Sequence, residues 1–152
     1  MRIRPTTAED TAGLQRIVEG TNLFPASMVP EMLSGFLSED QTDELWLTCE
    51  DTGEPIGFCY AVHEQLAEGT WNMLAIAVLP EKQGKGSGKA LVGQLEAHLR
   101  SKRQRVLIVD TSSGDAFSDA REFYRKSGYT EEARIRDFWA PGDDKIVFWK
   151  AL

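Results

Sequence analysis

A glycine-rich segment links an apolar strand-like run to a helical repeat near the middle of the chain. It reads Gln-Gly-Lys-Gly-Ser-Gly-Lys over 83–89, between an apolar run at 71–79 and a helical pattern at 88–99. Glycine lets the backbone turn tightly and come close to a ligand, while the start of a helix presents unpaired N–H groups and the positive end of its dipole. The order of strand, loop and helix therefore predicts an anion site suited to a phosphate or a pyrophosphate.

Residue spacing separates this loop from two common nucleotide-binding loops. The loop that binds ATP or GTP needs glycine at position 83 and a hydroxyl at position 90, whereas the chain has Gln83 and Ala90. The dinucleotide fingerprint needs glycine at position 89 or, in the next frame, a small residue at position 91, and the chain has Lys89 and Leu91. Neither ATP nor a dinucleotide is the expected ligand.

The periodicity of the apolar residues predicts a single α+β domain. A chain of 152 residues is expected to bury about 68 to 70% of its unfolded surface, enough for one core and too little for two domains. The first strand contains Ile3, and Thr7 caps a helix whose apolar face is formed by Ala12, Leu14, Ile17 and Val18. Further helices are predicted at 29–37, 88–99 and 118–127. Further strands are predicted at 44–49, 55–62, 71–79, 106–109, 129–136 and 146–150.

The glycine-rich loop and the order of elements carry a resemblance to a known family. Gln83, Gly86 and Gly88 fit the pattern Gln/Arg-x-x-Gly-x-Gly/Ala, and with it the chain resembles the GNAT superfamily of acyl-CoA-dependent N-acetyltransferases over essentially all of 1–152. The resemblance implies a mixed, mostly antiparallel twisted sheet of about seven strands flanked by four helices. It also implies acetyl-CoA as co-substrate, no metal, and coenzyme contacts from Ile76, Val78, Gln83, Gly84, Lys85, Gly86, Ser87, Gly88 and Lys89.

A second pattern lies in the helix predicted at 118–127. Ala120, Tyr124 and the pair Gly128-Tyr129 have the spacing of another GNAT motif, and the resemblance implies that Tyr124 is the general acid. Its phenol would protonate the coenzyme A thiolate that leaves when an amine attacks the thioester. The same spacing would also place Tyr124 on the buried stripe of any amphipathic helix, and both interpretations stay open.

One residue before this helix departs from the family pattern. Many GNAT proteins carry asparagine three residues before the motif alanine, where this chain has Phe117. The resemblance implies that this position contacts the coenzyme. Ser118 or Asp119 is therefore the expected substitute.

The general base is less constrained, because the strand at 71–79 contains no acidic residue. Asp110 follows the apolar run at 106–109 and is expected to emerge at the end of that strand, close to the thioester. As an alternative, Asp110 caps the turn that follows. Glu68, Asp137 or a chain of waters remain further candidates.

Composition limits the partners. A net charge of -7 and the lack of a sustained basic face argue against nucleic acid, and four cations at 100–105 fit the carboxyl end of a helix. Acidic pairs at 39–40, 43–44 and 143–144 either favour a cationic acceptor or are solvated loops. The expected acceptor is a small-molecule or peptide amine, near side chains that could equally be core: Phe24, Met28, Met32, Phe36, Phe138 and Trp139.

The sequence also predicts the cellular context. No apolar stretch is long enough to span a membrane and the first residues lack a secretory signal, so we expect a cytoplasmic protein with no membrane partner. Cys49 and Cys59 are expected to be reduced core thiols. A homodimer is left open, as are two classes of function: a catalytic N-acetyltransferase, and a non-catalytic acyl-CoA-binding regulatory module.

Overall fold

A computed structural model describes residues 1–38 and 43–152. The acidic pair predicted as a loop at 39–40 therefore lies outside the described residues. Four helices of this part of the chain are named here: α1 Thr11–Thr21, α2 Val29–Leu37, α3 Ser87–Ser101 and α4 Ser118–Lys126. Its strands are β1 Arg2–Pro5, β2 Glu44–Asp51, β3 Glu54–His63, β4 Thr70–Val78, β5 Val106–Ser112, β6 Thr130–Ala140 and β7 Asp143–Ala151.

The strands form one sheet in the order β1-β2-β3-β4-β5-β7-β6. Every neighbouring pair is antiparallel except β4 and β5, which run parallel. The predicted fold class is thereby confirmed. Pairing between β4 and β5 covers only Thr70–Asn72 on β4. Beyond Asn72 the two strands part, and a gap opens inside the sheet.

Helices cover both faces of the first half of the sheet. Thr48 on β2 hydrogen-bonds Asp10 just before α1, and Thr48 is paired with Phe58 on β3, so α1 lies on the Phe58 face. Side chains alternate between faces along a strand. The residue before Phe58, Gly57, faces Leu91 of α3, which places α3 on the opposite face.

The start of α1 is tied to β1 by a partly buried ion pair. The Arg4 guanidinium donates to both carboxylate oxygens of Asp10, at 2.7 and 2.8 Å, and Asp10 is only 4% exposed. Asp10 also accepts from the backbone N–H of Thr7 at 2.8 Å. Thr7 thus begins a short 3-10 turn, Ala8–Asp10, rather than the α-helix itself.

The apolar face predicted for α1 was right at three of its four positions. Leu14, Ile17 and Val18 are fully buried, but Ala12 is exposed. Its place in the core is taken by Gly13, because a Cβ at Gly13 would lie 2.7 Å from Pro55 Cγ. The helix therefore packs so closely against the start of β3 that only glycine fits.

Two further expectations can be compared with the described residues. Cys49 and Cys59 are both free and buried, as predicted, and burial raises the pKa of Cys59 to about 12. In 1–38 and 43–152 no helix is long and apolar enough to cross a membrane.

Candidate active site

A cleft of about 800 Å³ extends from the end of β4 to the start of α3 and to the facing side of α4. It unites the two regions that the sequence singled out, because the glycine-rich loop and Tyr124 line the same space. Its lining comprises Thr21, Leu23, Ile76, Ala77, Val78, Gln83, Gly84, Gly86, Ser87, Gly88, Lys89, Ala116, Asp119, Ala120, Phe123 and Tyr124.

The loop has the geometry of an anion cradle. Gly84 and Gly86 have φ of 76° and 88°, a left-handed conformation that favours glycine, and Gly86 is the N-cap of α3. No side chain of residues 1–38 or 43–152 caps this helix start. The first N–H groups of α3 therefore keep their hydrogen-bonding capacity for a ligand. A Cβ at Gly84 or Gly86 would meet no atom within 4 Å, so the space above the loop is open.

The polar residues of the loop have different roles. Gln83 donates from Nε2 to the carbonyl oxygen of Val78 at 2.9 Å, which fixes the loop to the end of β4. Lys89 lines the cleft and Lys85 does not, although both side chains are exposed. These cations bring positive charge to the loop of a chain whose net charge is -7, and that charge favours an anionic ligand.

Tyr124 lies at the inner wall of the cleft with 6% of its surface exposed. Its ring packs against Phe148 of β7, with ring centroids 5.4 Å apart. Burial raises the pKa of the Tyr124 phenol to about 12, because the charged phenolate is poorly solvated there. In the described part of the chain no side chain or backbone group hydrogen-bonds to this hydroxyl, so its proton is available to a ligand.

The start of α4 forms the opposite wall. Asp119 and Ala120 line the cleft, whereas Phe117 is not part of the lining and is 46% exposed. Of the two expected substitutes for the missing asparagine, Asp119 thus reaches the cleft. Phe123 closes this wall against the loop, since a Cβ at Gly88 would lie 3.5 Å from its ring.

The prediction that Asp110 ends its strand was wrong. It lies within β5, which continues to Ser112, because β7 pairs with every residue of β5 and extends it past the apolar run. Asp110 does not line the cleft. One oxygen, Oδ2, accepts from Asn72 Nδ2 at 3.2 Å and lies 3.3 Å from Lys145 Nζ.

The alternative bases lie outside the cleft, Glu68 in a turn and Asp137 within β6. Glu68 is exposed in the turn before β4, where its backbone oxygen accepts from Arg105 Nε at 2.8 Å. Asp137 accepts from the backbone N–H of Gly142 at 2.9 Å and stabilises the β6–β7 hairpin. Neither residue lines the cleft.

The aromatic and methionine side chains near the first helices and the last hairpin divide into two groups. Phe24, Met32 and Phe36 pack against the core. Met28, Phe138 and Trp139 are 46%, 48% and 49% exposed. The exposed group therefore remains available to an acceptor.

The sequence interpretation missed Asn72, which donates to Asp110 and also to Glu64 Oε1 at 3.1 Å. A signal was present, because Asn72 interrupts the apolar run at 71–79. Its partners could not be foreseen, since Asp110 is 38 residues away and meets Asn72 only through the pairing of β4 with β5.

Comparison with known proteins agrees with this geometry. A family model described as an acetyltransferase (GNAT) domain matches residues 42–131. No curated protein sequence matches the chain. Among solved structures, a protein from Desulfovibrio desulfuricans described as a member of the GNAT family is 25% identical, with a TM-score of 0.92 over 99% of this chain and 98% of that one.

Two other solved structures share the fold at lower identity. An aminoglycoside 6'-N-acetyltransferase complexed with coenzyme A is 18% identical, with a TM-score of 0.81 over 99% of this chain and 97% of that one. The ribosomal-protein-S18-alanine N-acetyltransferase from Escherichia coli is 19% identical, with a TM-score of 0.81 over 99% of this chain and 92% of that one.

Proposed function

The chain belongs to the GNAT acetyltransferase family, and we propose that it transfers the acetyl group of acetyl-CoA directly to a primary amine. The observation that carries this proposal is the shared cleft, because the glycine loop and Tyr124 face one space. In this proposal residues 1–152 act as one domain. A cytoplasmic location is part of it, supported by the free thiols of Cys49 and Cys59, since reducing compartments keep thiols unpaired.

The chain's residues fit acetyl-CoA along the length of the cleft. The uncapped start of α3 and the open space above Gly84 and Gly86 suit the pyrophosphate. The edge of β4 from Met73 to Val78 has no strand partner on the β5 side. Its backbone groups are therefore free to pair with an extended pantetheine arm, and a backbone N–H of this edge is free to polarise the thioester carbonyl.

Tyr124 and Asp110 lie on opposite faces of the sheet. Tyr124 packs against Phe148, which is paired with Val109, and the next residue, Asp110, points to the other face. This arrangement supports a separation of roles. The sulfur would leave on the Tyr124 side of the gap and the amine would approach from the Asp110 side.

The proposed reaction follows from these positions. The lone pair of a neutral amine attacks the thioester carbon, and the tetrahedral intermediate collapses as the C–S bond breaks and its electrons pass to sulfur. Tyr124 donates its proton to the thiolate, and Asp110 accepts the proton that the nitrogen loses. Solvent then returns the proton from Asp110 to the phenolate, so that the products are an N-acetyl amide and coenzyme A.

We expect acetyl-CoA to stabilise the protein, whereas ATP with magnesium and NAD should not, because the loop spacing fits neither nucleotide. At about 100 times the dissociation constant, acetyl-CoA should contribute about 2.7 kcal/mol and raise Tm by about 5 to 10 °C. The measurement is thermal unfolding with each ligand, followed by an assay for released coenzyme A thiol with a panel of amines. A shift with ATP alone would contradict the proposal, and binding without thiol release would favour the regulatory module.

Gly88→Val should weaken acetyl-CoA binding at least tenfold, because the added methyl groups press against the Phe123 ring and narrow the cleft beside the phosphate-binding N–H groups. Gly88 is a better test than Gly86, whose left-handed backbone would strain any side chain. The matched control is Gly93→Val on the same helix, where a Cβ meets nothing within 4 Å. Isothermal titration of both folded variants checks this prediction, and equal affinities would show that the loop does not hold the phosphates.

A further inference from the structure

A cluster of polar side chains lies where β4 and β5 begin to part. Asn72 connects two carboxylates, because its single amide nitrogen donates to Glu64 Oε1 at 3.1 Å and to Asp110 Oδ2 at 3.2 Å. Lys145 Nζ lies 3.3 Å from Asp110 Oδ2. Glu64, Asn72 and Asp110 are called the amide–carboxylate cluster below.

Among the residues that the structure describes, two buried oxygens of this cluster have no hydrogen-bond partner. They are Asn72 Oδ1 and Asp110 Oδ1, and Asn72 as a whole is only 6% exposed. The orientation of the amide is fixed, since Nδ2 must face the two carboxylates and Oδ1 is then left as an acceptor without a donor. A buried acceptor without a donor destabilises the folded state. The cluster is thus incomplete, and what it lacks is a donor.

The chemistry of the cluster defines the donor that would complete it. Its vacant groups are acceptors only, and two of its three members are carboxylates. A primary ammonium group suits it, because it carries one positive charge and three N–H donors. One ammonium already lies at the edge of the cluster: Lys145 Nζ contacts Asp110 and is 4.5 Å from the centroid of the Phe138 ring.

The cluster also lies in the right place for an acceptor. Asn72 is the last residue of β4 paired with β5, and the cleft lining begins on the same strand at Ile76. Four residues of strand span about 13 Å. The cluster therefore occupies the closed end of the gap, on the face opposite Tyr124.

We propose that the amide–carboxylate cluster is the subsite for the ammonium group of the acceptor, so that the substrates are aliphatic primary amines, which arrive protonated. This inference rests on the proposed acetyl transfer and adds the substrate class to it. The ammonium donates to Asn72 Oδ1 and Asp110 Oδ1, and one of its protons passes through Asp110 to solvent, which leaves a neutral amine and an ionised Asp110. Asp110 then accepts the second proton, which the nitrogen loses as the amide forms. Arylamines are neutral near pH 7. They therefore lack the positive charge and the third N–H donor to which the oxygens of the cluster would bind.

The test is a binding measurement that needs no turnover. Propylammonium chloride is titrated into ¹⁵N-labelled protein, free and with coenzyme A bound, while the side-chain amide signal of Asn72 is followed by NMR. Tetramethylammonium chloride, which has the charge without N–H donors, and 1-propanol, which has the chain without the charge, are the controls. We expect a saturable shift with propylammonium alone.

Two variants test whether the NMR shift of Asn72 reports binding at the amide–carboxylate cluster. Glu64→Gln should weaken propylammonium binding at least tenfold, whereas the matched change of an exposed residue, Glu9→Gln, should leave it unchanged. The inference is overturned if no saturable shift occurs, if tetramethylammonium acts equally well, or if Glu64→Gln binds like the parent. Such a result with normal acetyl-CoA binding and thiol release would reject the subsite alone, whereas failure of acetyl-CoA to bind would reject the proposed function.

Discussion

Tyr124→Phe should lower turnover by about 100-fold to 10,000-fold, the usual contribution of a positioned proton donor. The substitution removes only the hydroxyl and keeps the ring that packs against Phe148. Acetyl-CoA affinity should stay near the parent value, because in the proposed function the glycine loop, and not the phenol, binds the pyrophosphate. The measurement is kcat on a confirmed acceptor under conditions in which chemistry limits the rate, together with isothermal titration of acetyl-CoA.

The matched control is Tyr129→Phe, five residues further along the chain. Tyr129 is as buried as Tyr124, but its hydroxyl donates to Glu96 Oε2 at 2.8 Å inside the protein. Its loss should therefore destabilise the fold by about 1.5 to 3 kcal/mol, as expected for a hydrogen bond to a charged group, with little change in turnover. Parent-like turnover in Tyr124→Phe would remove Tyr124 from the catalytic residues.

The pH dependence of the reaction should reflect the raised pKa of Tyr124. A phenol with a pKa of about 12 remains protonated from about pH 7 to 10. Turnover should therefore not fall between about pH 7 and 10 through loss of this proton, and the pH profiles of the parent and of Tyr124→Phe should have the same shape at different heights. If the parent rate falls within that range and the fall disappears in Tyr124→Phe, Tyr124 loses its proton there. That result would contradict a pKa raised by burial.

The parts of the site that could be predicted from sequence are those set by local rules. The loop at 83–89 was recognisable because left-handed turns demand glycine and a helix start attracts anions. The helix that carries Tyr124 was recognisable by its apolar spacing. The order of helices and strands was also predictable, because apolar residues recur with clearly different spacings in helices and in strands over most of this chain.

The parts that could not be predicted depend on contacts between distant strands. Asp110 appeared to end its strand because the apolar run stops at Val109, yet pairing with β7 continues to Ser112. The hydrogen bond between Asn72 and Asp110 exists only because β4 and β5 are neighbours in the sheet. Likewise Gly13 replaces Ala12 in the core through its contact with Pro55, which no helical period reveals.

Asp10→Ala should lower the free energy of unfolding by about 3 kcal/mol, the lower end of the cost of breaking a buried ion pair. The lower end applies because Arg4 keeps a second partner, Glu50 Oε2, at 2.9 Å. Urea unfolding at pH 7 measures the effect. Glu9→Ala, the exposed neighbour in the same turn, is the matched control and should change stability by less than about 0.5 kcal/mol.

Comparing the parent with Asp10→Ala at different pH values tests whether the charge of Asp10 is the source of this stability. Burial alone would raise the pKa of Asp10, but the hydrogen bonds from Arg4 and from the Thr7 backbone outweigh it, so the pKa lies below its usual value of 3.8. A lowered folded-state pKa means that the stabilisation is complete above the unfolded value and is lost as pH falls through the folded value. The stability gap between the parent and Asp10→Ala should therefore be constant from about pH 5 to 8 and should narrow below pH 4. A gap of equal size at pH 3 would show that packing of the Asp10 side chain, and not its ionised carboxylate, joins β1 to the start of α1.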